Sequence, residues 1–109
     1  MSFKEKMIPL LTQEEFETLR ASKLEAPVLI YFTAKWCGPC RAFDWESIKD
    51  SLKGYTMYIC DVDDNTYTPG FCGVRSIPNF LTISKTNVIA GPKQTSDSAT
   101  LLAWLNQSS

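Results

Sequence analysis

The sequence predicts an α/β domain in which a central mixed five-stranded sheet is flanked by four helices. Val28-Leu29-Ile30-Tyr31-Phe32 is a continuous apolar run of strand length between Pro27 and Thr33, the pattern of a strand covered on both faces. From Cys37 the apolar residues recur at three or four positions instead, as Ala42, Trp45, Ile48 and Leu52, until Gly54. Alternating strands and helices in the first half demand parallel neighbours joined by right-handed crossovers. Two short runs near the end, Phe80 to Ser84 and Asn87 to Ala90, read as an antiparallel hairpin turned at Lys85-Thr86.

Met7 to Leu10 reads as a short strand, and Pro9, which has no N–H to give, places it at an edge. Leu11-Thr12-Gln13-Glu14-Glu15-Phe16 opens the first helix: Thr12 caps it, Glu15 reaches back, and Leu11 packs on Phe16 as a hydrophobic staple. Phe16, Leu19 and Leu24 form its buried side, and Pro27 ends the connection by holding the chain away from helix. The apolar run from Val28 lies mid-sheet, and the second helix runs from Cys37 to Gly54. Tyr55 to Val62 is the next strand, after which Asp63-Asp64-Asn65 turns into a weakly patterned helical segment ending near Gly73. After the hairpin, Ser96 or Asp97 caps a last helix whose apolar stripe is Leu101, Leu102, Trp104 and Leu105.

At 109 residues the chain is expected to be one domain, residues 1–109, and 44% apolar with 21% charged residues suits a globular core. Eleven basic and twelve acidic residues, with no block of like charge, give nothing that attracts nucleic acid or anionic lipid. The longest apolar stretch, Val28 to Phe32, is far short of the roughly 20 residues that cross a bilayer. The N-terminus has no apolar core of signal-peptide length, so a cytoplasmic location is expected. Four cysteines without a leader argue against a secreted disulfide framework. The chain has no histidine, which removes Ser/His and Cys/His nucleophiles and the commonest zinc ligand, so no metal is expected. Chemistry must come from cysteine or carboxylate.

Trp36-Cys37-Gly38-Pro39-Cys40 lies where the buried strand passes into a helix. There, unpaired backbone N–H groups and the positive end of the helix dipole favour a thiolate at Cys37. Cys40, about one helical turn on, reaches the same sulfur and displaces a mixed disulfide, so the pair performs exchange and cycles through a Cys37–Cys40 disulfide. Gly38 allows close backbone approach, and Pro39 suits a first turn whose N–H is unpaired in any case. The stiff Gly-Pro pair favours a reducing couple.

Trp36 to Cys40 resembles the active-site motif of thioredoxins, and Ser76-Ile77-Pro78 resembles their cis-proline loop; Asp61-Val62-Asp63-Asp64 is similar to the end of their third strand. The resemblance extends from Thr12 to Gln107. It implies a thioredoxin fold and reduction of protein disulfides, with Cys37 attacking, Cys40 resolving and Trp36 flanking a substrate groove. It implies a cis Pro78, with the backbone of Ile77 presented to an extended substrate as an added strand. No cofactor is expected on the chain itself; NADPH acts indirectly, through a flavin-dependent thioredoxin reductase, and the protein is expected to work as a monomer.

Four departures from that family are visible. Tyr31 stands where its members bury an Asp, and Ile59 where they have a buried Lys or Glu, which removes a charged pair and is expected to slow exchange or shift its pH dependence. Asp44, placed by a continuous helix over the turn after Cys40, is a candidate substitute proton acceptor. Trp45 replaces a helix-kinking proline, so a straighter second helix is expected. Pro92-Lys93-Gln94 replaces a glycine-bearing loop beside the groove.

Lys35 and Arg41 flank the motif and can favour the thiolate through a screened surface charge effect. Cys60, among apolar neighbours, reads as an inert buried thiol, and Cys72 as an accessible cysteine open to regulatory oxidation or dimerisation. Asp61, Asp63 and Asp64 lack the spacing and terminal Glu of a calcium loop. Two alternatives remain: a binding module or subunit of a larger complex with a dispensable dithiol, and a disulfide isomerase or oxidase.

Overall fold

The computed structural model describes residues 3–108; Met1, Ser2 and Ser109 lie outside them, including the first two residues of the stretch read for a leader. In chain order the elements are β1 (Ile8–Pro9), α1 (Gln13–Ala21), β2 (Val28–Thr33), α2 (Gly38–Arg41), β3 (Thr56–Asp61), α3 (Thr68–Phe71), β4 (Asn79–Ile83), β5 (Ile89–Gln94) and α4 (Ser98–Ser108). Short 3-10 turns add Phe3–Lys6 and Lys49–Leu52. The sheet order is β1-β3-β2-β4-β5, with β1, β3 and β2 parallel and β4 and β5 antiparallel to their neighbours. Pro9 accordingly sits on an edge strand and the apolar β2 at the centre.

Because successive side chains of a strand point to opposite faces, β2 divides its apolar run between two cores. Leu29 and Tyr31 join Trp45, Leu52 and Phe80 under Leu101 and Leu105 of α4. Val28, Ile30 and Phe32 join Cys60, Leu81 and Ile83 under Leu10 and Phe16. Val28 through Phe32 are each no more than 1% exposed.

Thr12 caps α1 as expected, its hydroxyl accepting from Glu15 N at 3.0 Å. The Glu15 carboxylate reaches back one residue further than a capping box, accepting from Leu11 N at 2.8 Å. The staple is corrected: Leu11 is exposed, and Leu10 is the residue packed with Phe16. Asp97 caps α4, accepting from Thr100 N at 2.8 Å.

The second helix is also corrected. It ends at Arg41 after a single turn, and the chain regains helical form only as the 3-10 turn at Lys49–Leu52. Phe43 and Trp45 are both buried against Tyr31 and Phe80, while Ala42, read as a buried position, is exposed. Residues two apart lie on opposite sides of a helix, so one stripe cannot seat both rings on the same core. Asp44 takes part in the break, its Oδ1 accepting from Ser47 N at 3.2 Å in place of a helical carbonyl. The straight helix inferred from Trp45 does not form.

The residues Pro92, Lys93 and Gln94, read as a loop, belong to β5, where Phe80 pairs with Lys93 and Asn79 with Gln94. A bulge between those pairs and Thr82↔Ala90 sets Gly91 and Pro92 against Leu81.

Candidate active site

The strand-to-helix passage from β2 into α2 puts Cys37 at the helix N-cap and Cys40 inside its only turn. The two are joined as a disulfide, with Cα atoms 5.2 Å apart. Cys37 Sγ accepts from Cys40 N at 3.2 Å, and the turn closes through Arg41 N to Cys37 O at 3.1 Å. The helix is a single turn, and the Cys40 N–H is the cap donor aimed at Cys37 Sγ. Cys37 is 3% and Cys40 1% exposed in this oxidised form.

Pro39 occupies the first turn of α2. A Cβ at Gly38 would meet nothing within 4 Å, so the space that Gly38 leaves is open to a molecule outside the chain. Arg41 extends a guanidinium N–H to the Lys35 carbonyl at 2.6 Å, which ties the two ends of the motif together. Trp36 is 65% exposed, and its indole Nε1 donates to Asp63 Oδ2 at 2.9 Å. Asp63 is a site residue that the sequence marked only as a strand end; the pairing spans 27 positions, and no local pattern announces it.

The Ile77–Pro78 peptide bond is cis, as is Gly91–Pro92. Pro78 is buried, and Ile77 packs on the same core cluster that holds both motif cysteines. Trp36, next to Cys37 in the chain, lines a groove of about 390 Å³ with Val62, Pro69, Val74, Arg75, Ser76 and Ile77. Ile77 thus shares a core cluster with Cys37 and Cys40 and a groove with Trp36, and Pro78 follows it in the chain. Asp44 belongs to neither: it is exposed, beyond the end of α2, and held by Ser47.

Where the family has its charged pair, Tyr31 and Ile59 belong to the apolar packing around Cys37 and Cys40, which also includes Leu29, Phe43, Trp45 and Phe80. Burial pushes the Tyr31 phenol above its ordinary value, the Thr33 hydroxyl opposing. Cys60 and Cys72 lie apart from the site. Cys60 is fully buried and its thiol is pushed up to about 12, first by burial and then by Cys72. Cys72 is half-buried, and burial raises its thiol to about 11. Neither is ionised at neutral pH, the form that oxidation and exchange require.

The thioredoxin family model matches residues 7–107. The chain belongs to the thioredoxin family. It is 31% identical over 100 residues to thioredoxin from Haemophilus influenzae, across 89% of this chain and 92% of that protein. To the chloroplastic M-type thioredoxin of Brassica napus it is 35% identical over 82 residues, which is 72% of this chain but only 45% of that relative's length. Mitochondrial thioredoxin 3 from Saccharomyces cerevisiae, in its oxidised form, shares the fold with a TM-score of 0.83 at 24% identity, over 97% of this chain and 99% of that one. With its Cys37–Cys40 disulfide, this thioredoxin-family chain is a thiol–disulfide oxidoreductase of the protein-disulfide reductase class. Among the described residues no cluster of His, Cys, Asp or Glu could hold a metal ion, and no helix is long and apolar enough to cross a membrane.

Proposed function

We propose that the chain, as a single domain, reduces disulfides in extended protein segments that lie along the groove between Trp36 and Ile77. The observation that carries this reading is the Cys37 N-cap, whose sulfur accepts the Cys40 N–H, next in the chain to Trp36, which lines a groove with Ser76 and Ile77. The Cys37 thiolate attacks one sulfur of the substrate, the substrate S–S bond breaks, and the first substrate thiolate leaves. Cys40, deprotonated, then attacks Cys37 Sγ, the mixed disulfide breaks, and the second substrate thiolate leaves. Two electrons pass from the dithiol to the substrate and the Cys37–Cys40 disulfide remains. Trp36, Gly38 and Pro39 position the attacking sulfur, and Ile77 and Pro78 hold the substrate backbone.

The oxidised pair is returned to the dithiol by a thioredoxin reductase that draws on NADPH, so the chain acts as a monomeric electron carrier in the cytoplasm. Insulin reduction coupled to a thioredoxin reductase tests the reading, with NADPH absorbance as the readout. The expected result is turnover in the wild type and none after Cys37→Ser with Cys40→Ser. Insulin reduction that survives the double replacement would sink the proposal, and biological activity without the dithiol would assign the chain to the binding-module class.

A further inference from the structure

The break after α2 leaves the Cys40 carbonyl at an unusual place. In a longer helix this oxygen would accept from the N–H four residues on. Here it accepts from Phe43 N at 3.3 Å and from the Tyr31 hydroxyl, also at 3.3 Å. Tyr31 is fully buried on β2, and its ring is fixed from three sides. It stacks on Phe80 at 5.4 Å between centroids, meets Trp45 edge-on at 5.0 Å, and lies 6.4 Å from Phe43. Phe80 follows the cis-Pro78 loop by two residues, and Phe43 and Trp45 follow Cys40 by three and five. One side chain thus joins the end of the motif turn to the strand that carries the groove wall.

We propose that Tyr31 is a positioning residue for the resolving thiol: its hydroxyl holds the Cys40 carbonyl where α2 ends, so that Cys40 stays aimed at Cys37 when their disulfide is open. The inference rests on the exchange reaction proposed above and adds a residue to its second step. With the disulfide reduced, the covalent link between the two sulfurs is gone and the turn is held by its backbone bonds and by Tyr31. A buried phenol that remains protonated supplies the hydrogen bond throughout the working pH range, whereas a carboxylate could not donate it. The hydroxyl acts on the backbone of Cys40 and takes no proton from its sulfur.

Tyr31→Phe keeps the ring contacts and removes only the donor. Mixing the reduced protein with 5,5′-dithiobis(2-nitrobenzoate) separates the two steps in one trace. Attack by Cys37 breaks the reagent's S–S bond, releases the first thionitrobenzoate and scales with reagent concentration. Attack by Cys40 on Cys37 Sγ releases the second thionitrobenzoate, sends the Cys40 proton to solvent, and is independent of reagent concentration. Cys60 and Cys72, held as protonated thiols, react later. The expected result is an unchanged first phase and a second phase slowed by about tenfold, within the roughly hundredfold that a misplacement of about 1 Å can cost. A second phase that is unchanged or faster, or a loss shared equally by both phases, overturns the role of Tyr31. A missing fast first phase in the wild type would instead overturn the exchange reading itself.

Discussion

Trp36, which lines the groove, is joined to Asp63 by a 2.9 Å bond from the indole Nε1 to the carboxylate. Asp63 is itself fixed, its backbone N–H donating to Asp61 Oδ1 at 2.9 Å. The tryptophan ring, exposed over most of its surface, is thereby held as a wall before any substrate arrives. A side chain ordered in advance spares the binding step the entropy of ordering it, which for a rotamer-rich group is of order 1 kcal/mol.

Asp63→Ala removes the acceptor and frees the ring. The expected effect is a rise in KM for insulin of about three- to tenfold, equivalent to roughly 1 kcal/mol, with kcat within about twofold and the thermal midpoint little moved. Steady-state reduction kinetics check this. An equal fall in kcat would show that Asp63 acts on the dithiol and not on the wall of the groove.

Cys60 and Cys72 make an alkaline prediction. In the unfolded chain both thiols ionise near their ordinary value of 9.0, whereas the folded state holds them protonated to about 12 and about 11. Above pH 9 the unfolded state binds fewer protons than the folded one, so stability must fall as pH rises through that window. Burial of Tyr31 acts in the same direction above its ordinary value of 10.0. Urea midpoints measured from about pH 8 to about pH 11 are expected to fall, and to fall less steeply after Cys60→Ala with Cys72→Ser. Parallel slopes for the two proteins would remove the thiols as the cause.

Much of the fold was legible because its signals are local. The apolar run at Val28, the cap at Thr12 and the hairpin at Lys85-Thr86 each depend on neighbours in the chain. The dithiol was legible for the same reason, since its partners stand three residues apart. The second helix misled because Ala42, Trp45, Ile48 and Leu52 keep a helical period while the aromatic cluster dictates the packing. Phe43 and Trp45 must both reach Tyr31 and Phe80, and that demand comes from β2 and β4, far away in sequence. The bonds Trp36–Asp63 and Tyr31–Cys40 were hidden likewise: each residue is plain in the sequence, and only the fold pairs them.

Trp45 is 6% exposed, and its Nε1 has no hydrogen-bond partner among the described residues. A buried donor left unpaired costs about 1–3 kcal/mol, so replacing it by an apolar ring recovers much of what the smaller volume loses. Trp45→Phe is expected to change stability by less than about 1.5 kcal/mol, and Trp45→Ala to cost about 3–5 kcal/mol by leaving a cavity among Phe3, Tyr31, Phe43 and Phe80. Denaturant titration of both variants decides it. A Trp45→Phe loss as large as that of Trp45→Ala would mean that the indole N–H is satisfied.

Gly91 sits in the bulge of β5 at φ +109°, backbone that residues with a side chain rarely adopt. A Cβ there would lie 2.8 Å from the Phe80 carbonyl oxygen and 3.3 Å from the Trp104 ring. Phe80 lies on β4, which is paired with β2 on one side and β5 on the other, so Gly91→Ala must either distort the bulge or push β5 from β4. Strain of this kind costs about 1–3 kcal/mol for the backbone alone, and the clash adds to it. Gly54 provides the control, because a Cβ there meets nothing within 4 Å. In urea titrations Gly91→Ala is expected to lose more than about 2 kcal/mol and Gly54→Ala less than about 0.5 kcal/mol. Because Phe80 also stacks on Tyr31, the distortion at Gly91 reaches the residue that holds Cys40. Insulin reduction by Gly91→Ala should therefore fall even at temperatures where the variant is fully folded, and full activity there would confine the strain to the bulge.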